Sequence, residues 1–182
     1  MDKVLVVKKL KKIYGLMTEH EFEALHDINF EVEKGEFICV MGPSGSGKST
    51  FINNISTIDF PTKGVVYING EEIHTMSSSR MGTFRYENLG FIFQNYNLLE
   101  THTLYENICI PLALKHEKNM KEKVYAMAKR MGIDNLLDKY PHECSGGQQQ
   151  RAAICRALIN HPQLIIADEP TGNLDRKHSI EL

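Results

Sequence analysis

The sequence predicts an α/β fold built around a phosphate-binding loop, with an antiparallel β layer before the loop and a helical subdomain inserted after it. Three observations carry that reading. A short apolar run, Phe37 to Met41, leads into GPSGSGKST at Gly42 to Thr50, and a helix-compatible stretch follows. A second apolar run, Leu164 to Ala167, ends directly on Asp168-Glu169. Between them, about Thr101 to Tyr140, helical spacing interrupts the alternation of strands and helices. A chain of 182 residues suffices for one well-buried domain with such an insertion.

Taken in order, Val4 to Val7 reads as a short β-branched strand, and Ala24 to Glu33 alternates as a half-buried one. Lys34-Gly35 is a turn, and Phe37 to Met41 is expected to be a buried strand that delivers the phosphate loop. Lys48 to Thr57 suits a helix, stopped near Pro61. Gly64 to Asn69 with Gly70 is a strand and turn, Met76 to Glu87 a short helix, and Leu89 to Gln94 an apolar strand. Leu104 to Met131 is expected to be helical with a break at Pro111, followed by a helical turn over Asp134 to Tyr140. Gly147 to Asn160 is a helix with Ala153, Ile154, Ala157 and Leu158 on its apolar side, and Leu164 to Ala167 is a buried strand. Residues of about 1–93 and 141–182 thus form the β layer and nucleotide-binding core, and about 94–140 the helical part.

Bulk composition narrows the function classes. The formal net charge is −2, so no global basic field argues for nucleic acid. Lys8, Lys9, Lys11 and Lys12 read as a solvated strand end. Cys39, Cys109, Cys144 and Cys155 are scattered without metal-ligand spacing, as expected of reduced core or near-core thiols in a cytosolic protein. No apolar run reaches membrane-spanning length, and the apolar block in MDKVLVVKKLKK is too short for a signal peptide. A soluble protein is expected, with any membrane role supplied by a partner.

The phosphate loop specifies a nucleoside triphosphate. Gly42, Gly45 and Gly47 let the backbone bend close to a polyanion, and the N–H groups of Pro43-flanked Ser44, Ser46 and their neighbours can form an anion nest ahead of a helix N-terminus. Lys48 should reach the β- and γ-phosphates, the Ser49 hydroxyl should ligate Mg²⁺, and Thr50 completes the loop. Asp168 at a strand's carboxyl end can hold Mg²⁺, and Glu169 can polarise the attacking water. Cys144-Ser145-Gly146-Gly147-Gln148 offers a second anion-binding helix start, which one ATP with one phosphate loop does not explain. Tyr14 is either a half-buried strand aromatic or a platform for a purine.

Together, GPSGSGKST, Gln94 after a strand, CSGGQQQR, LIIADEP and GNLD resemble, in order and over essentially the whole chain, the nucleotide-binding subunits of ABC transporters. FRYENLGFIFQNYNLL and ECSGGQQQRAAICRAL are similar to the macrolide-export, lipoprotein-release and antimicrobial-peptide-resistance subgroup. The resemblance implies a P-loop NTPase with a RecA-like core. It implies that Tyr14 stacks on adenine, and that Gln94 senses Mg²⁺ and water and links to a membrane permease. Ser145, Gly147 and Gln148 would reach the γ-phosphate held by the opposite subunit, and Asp175 would lie at the dimer seam. Lys48, Gln94 and Glu169 are then the catalytic set, and Ser49, Gln94 and Asp168 the Mg²⁺ set. Two chains would pair head to tail around two ATP molecules, peripheral on the inner face of the cell membrane.

The resemblance also marks two departures. Cys144 stands where the signature usually has leucine. The final core strand and the histidine that contacts the γ-phosphate are expected beyond Leu182, and His178 lies too soon after Glu169 to be that histidine. The implied expectation is a truncated chain with a gap in the sheet, exposed apolar faces and weak activity. A DNA-repair ATPase with these motifs is disfavoured by the lack of long heptad stretches. An inactive fragment and a force-transmitting, non-transport complex stay open.

Overall fold

The computed structural model describes residues 2–170. Two compact units divide the chain after Arg85.

The first unit is a four-stranded antiparallel sheet with one helix set against it. Its order is β2-β1-β3-β4, with β1 Lys3–Tyr14, β2 Phe22–Glu33, β3 Lys63–Ile68 and β4 Glu71–Glu72. β1 runs far past the expected Val7, through the lysines. A bulge between Val7 and Leu10, with Lys9 at φ 50°, shifts the side-chain phase, so Leu10 rejoins Leu5 and Val7 in the core. Gly64 crosses this bulge at φ 88°, where a side chain would strike the Lys8 and Lys9 carbonyls. Asn69 and Gly70, both at positive φ, make the two-residue turn from β3 to β4.

Helix α1, Lys48–Ile55, leans on β2 through Phe51, whose ring meets Phe30 edge-on at 5.4 Å. The preceding run departs from expectation. Phe37 to Met41 belongs to no strand or helix, and Phe37 and Met41 are 94% and 85% exposed. A strand requires a neighbour to take its N–H and C=O groups, and among the described residues none pairs with this run. Cys39 is consequently exposed, against the expected core or near-core thiol, whereas Cys144 and Cys155 are buried.

Helix α2, Ser78–Asn88, leads into the second unit. There β5, Leu89–Ile92, pairs in parallel with β6, Leu164–Ala167. Helices α3 Leu104–Leu114, α4 Met120–Arg130 and α5 Gly146–Leu158 share a core containing Leu104, Ile108, Val124, Ala128, Ala152 and Cys155. Burial pushes the Cys155 thiol up to about 12, so it stays protonated. The helical break falls after Leu114 rather than at Pro111, which sits inside α3. His116 at φ 54° follows the end of the helix, in a left-handed conformation common after a helix C-terminus. Gly90 packs against the Ala157 carbonyl, so α5 lies directly on β5.

Candidate nucleotide-binding and catalytic site

The site residues fall into separate groups along the chain. In the first unit, Gly45 and Gly47 take φ of 79° and 88°, which folds the loop back before α1. Ser46 N donates to Pro43 O at 3.3 Å within that turn. A side chain on Gly47 would collide with the Ala24 carbonyl of β2, so glycine is what lets the helix start sit against the sheet. Gly47 is the N-cap of α1 and makes no side-chain cap, which leaves the positive end of the helix to an external anion. Lys48 Nζ donates to Gly42 O at 2.8 Å and Pro43 O at 2.9 Å. The ammonium is thus folded over the loop, held by two of its carbonyl oxygens. Ser49 is exposed in the first turn of α1, and the Thr50 carbonyl accepts from Asn54 Nδ2. Tyr14 ends β1, 41% exposed, with its hydroxyl donating to Asp59 Oδ2 at 3.1 Å.

In the second unit, β5 and β6 end side by side. Asp168 N donates to Ile92 O at 3.0 Å, and Gln94 Nε2 donates to Glu169 Oε2 at 2.9 Å. Glu169 is held at φ 44°, a left-handed conformation that costs a non-glycine residue energy and that recurs at functional sites.

Ser145 is the N-cap of α5, which begins at Gly146. Gln148 N donates to Ser145 Oγ, and Ser145 N donates to Gln148 Oε1 at 2.8 Å, a reciprocal capping box. Each side chain therefore accepts from the other residue's backbone N–H, with Gly147 between them at the helix start. Gly146 faces the Tyr96 hydroxyl, which would have to shift to admit a side chain there. Asp175 and His178 lie outside the described residues.

One contributor was not legible in the sequence. Arg156, on α5, donates to Asn97 O at 2.6 Å and Tyr96 O at 2.7 Å, clamping the loop after Gln94 onto the signature helix. Tyr96 and Asn97 both take positive φ, which turns their carbonyls toward the guanidinium. An arginine in an otherwise apolar helical run is the only trace it leaves in the sequence.

A glycine-bent phosphate loop on an uncapped helix, with a carboxylate pair at the end of a parallel strand, defines an α/β P-loop NTPase. Residues 25–172 match the family model described as ABC transporter, and the chain belongs to that family. It is 51% identical over 179 residues to the ABC transporter ATP-binding protein YxdL of Bacillus subtilis, covering 97% of this chain and 69% of that protein. It is 45% identical to the bacitracin export ATP-binding protein BceA of Halalkalibacterium halodurans, covering 98% and 71%. The solved dimeric structure of MJ0796, a bacterial ABC transporter cassette, superposes with a TM-score of 0.89 at 37% identity, covering 97% of this chain and 78% of that one. The same cassette is also solved as a dimer in a post-hydrolysis state with ADP and Pi. By family the chain is an ATP-binding ATPase.

Proposed function

We propose that this chain is the ATPase subunit of a membrane transport complex, working as a head-to-tail homodimer that moves a permease partner. The observation that carries the reading is Lys48, folded over the Gly42 and Pro43 carbonyls above an uncapped α1. Gly42 to Thr50 wraps the triphosphate, with the backbone N–H groups and Lys48 compensating its charge. Tyr14 stacks on the adenine. Ser49 in the first unit, and separately Asp168 and the Gln94 amide oxygen in the second, carry oxygen atoms of the kind that would suit Mg²⁺, which takes few protein ligands alongside phosphate and water. Among the described residues no cluster of three or more His, Cys, Asp or Glu offers a different metal site. When bound, Mg²⁺ neutralises charge on the phosphate oxygens during transfer.

Glu169 accepts the proton of the attacking water, and Gln94 orients the Glu169 carboxylate. Ser145, Gly147 and Gln148 present the start of α5 to the γ-phosphate held by the second copy, which explains the second anion-binding helix start. ATP then joins the two copies and hydrolysis parts them, giving an opening and closing cycle. The chain acts on the cytoplasmic side of a membrane through its partner, and none of its described helices is long and apolar enough to cross one. A relative named for bacitracin export makes an export or peptide-resistance role the favoured one. The test is ATP turnover by the permease complex reconstituted in vesicles. Turnover that disappears with Lys48→Ala supports the reading, and turnover that survives that change refutes it.

A further inference from the structure

At the end of β1, Lys12, Tyr14 and the segment 59–62 form one hydrogen-bonded cluster, wholly within the first unit. The Asp59 carboxylate is its centre. Oδ1 accepts from Lys12 Nζ and from the Phe60 N–H, both at 2.7 Å, and Oδ2 accepts from the Tyr14 hydroxyl at 3.1 Å. Lys12 Nζ also donates to Phe60 O at 2.7 Å and stands over the Tyr14 ring, 5.0 Å from its centroid. Thr62 fixes the strand end to the same segment, accepting from Ile13 N at 2.9 Å and donating its own N–H to Lys11 O at 2.8 Å. Burial raises the Asp59 carboxyl, but the hydrogen bonds from Lys12, Phe60 and Tyr14 outweigh it and keep the group below its ordinary value.

The cluster is also tied to the phosphate loop's own helix. The N–H groups of Ile58 and Asp59 donate to Asn53 O in α1, at 3.0 and 3.1 Å. Bonded groups therefore run from the helix that starts at Lys48, through Asp59, to the Tyr14 ring.

We propose that Lys12 and Asp59 are positioning residues that preset Tyr14 as the base platform and hold it in register with the phosphate loop. The inference rests on the reading of Tyr14 as the adenine-stacking residue. A freely turning phenol would lose rotamer freedom on stacking, whereas one pinned through its hydroxyl has lost it already. The ammonium covers one ring face and leaves the other to the base. It also draws π density from the ring, which improves the match to an electron-rich purine.

The experiment compares the affinity of the full-length protein for Mg²⁺–ATP and for Mg²⁺–tripolyphosphate, which carries the phosphates without the base. Lys12→Met and Asp59→Asn are expected to weaken ATP about five-fold or more while tripolyphosphate holds within about two-fold, and Lys12→Arg is expected to recover ATP affinity because a guanidinium also stacks on the ring. Equal weakening of both ligands would mark a merely structural role and overturn the proposal. If Tyr14→Ala loses ATP affinity while Lys12→Met and Asp59→Asn do not, the platform stands and the positioning role falls. If Tyr14→Ala binds ATP unchanged, the platform reading itself is wrong and the inference goes with it.

Discussion

Gln94 and Glu169 occupy equivalent places beyond a parallel strand pair, and their side chains meet there. The register aligns Ile92 with Ala167, so each residue lies two positions past its strand, and Gln94 Nε2 donates to Glu169 Oε2 at 2.9 Å across 75 residues of sequence. Parallel pairing thus brings a polar amide and a carboxylate from distant parts of the chain to one point.

Glu169→Gln removes the proposed proton acceptor but keeps the side chain's shape. ATP hydrolysis by the full-length protein is expected to fall by about 10²–10⁴-fold, the usual worth of a general base. ATP affinity is expected to change little. Single-turnover hydrolysis beside equilibrium binding separates the two, and a mutant hydrolysing near the normal rate would remove Glu169 from the base role.

Lys48→Ala takes away the ammonium that spans the Gly42 and Pro43 carbonyls. Loss of a charge-assisted phosphate contact should weaken Mg²⁺–ATP by at least about ten-fold. Lys48 is only half-buried, so the unfolding midpoint should hardly move. Calorimetric titration with a thermal melt checks both, and unchanged affinity would contradict the role given to Lys48.

Thr103 caps α3 in a reciprocal box with Glu106, whose Oε2 accepts from Thr103 N at 2.8 Å. Thr103→Ala is expected to cost about 1 kcal/mol of stability. Neither residue belongs to the nucleotide site, so ATP affinity should be unaffected. Urea unfolding measures the loss, and a change below a few tenths of a kcal/mol would mean the cap is replaced by water at no cost.

His74 sets a pH dependence. Burial lowers its pKa from the ordinary 6.5, against weaker opposing effects of Glu72 and Asp59, and its ring packs on Phe60 at 5.5 Å. The unfolded chain therefore takes up a proton at higher pH than the folded one. Stability is fully kept above about pH 6.5 and falls as the pH drops from there toward the folded value. His74→Phe should flatten this part of the profile, as read from denaturant midpoints between pH 7.5 and 5.5. An identical slope in the variant would assign the loss to other groups.

Much of this was legible in the sequence because local chemistry decides it. The turn at Asn69-Gly70, the glycine-bent phosphate loop and the strand that ends on Asp168-Glu169 each follow from residue types at fixed spacing. The errors came where a distant partner decides. Phe37 to Met41 has strand composition, but a strand needs a paired neighbour. β1 outlasts Val7 because a bulge at Lys9 returns Leu10 to the core, and no alternation pattern anticipates a bulge. Pro111 stays helical within α3, and Arg156 and the Lys12–Asp59 pair act across 59 and 47 residues of sequence, beyond any local signal.

The most direct test of the central claim, ATP shared between two copies, is sedimentation velocity of the full-length Glu169→Gln protein with and without Mg²⁺–ATP. The expected result is a dimer that forms only with ATP and is lost when Lys48→Ala or Ser145→Arg is added. A species that remains monomeric at saturating ATP would contradict the shared site and leave the start of α5 without the anion assigned to it.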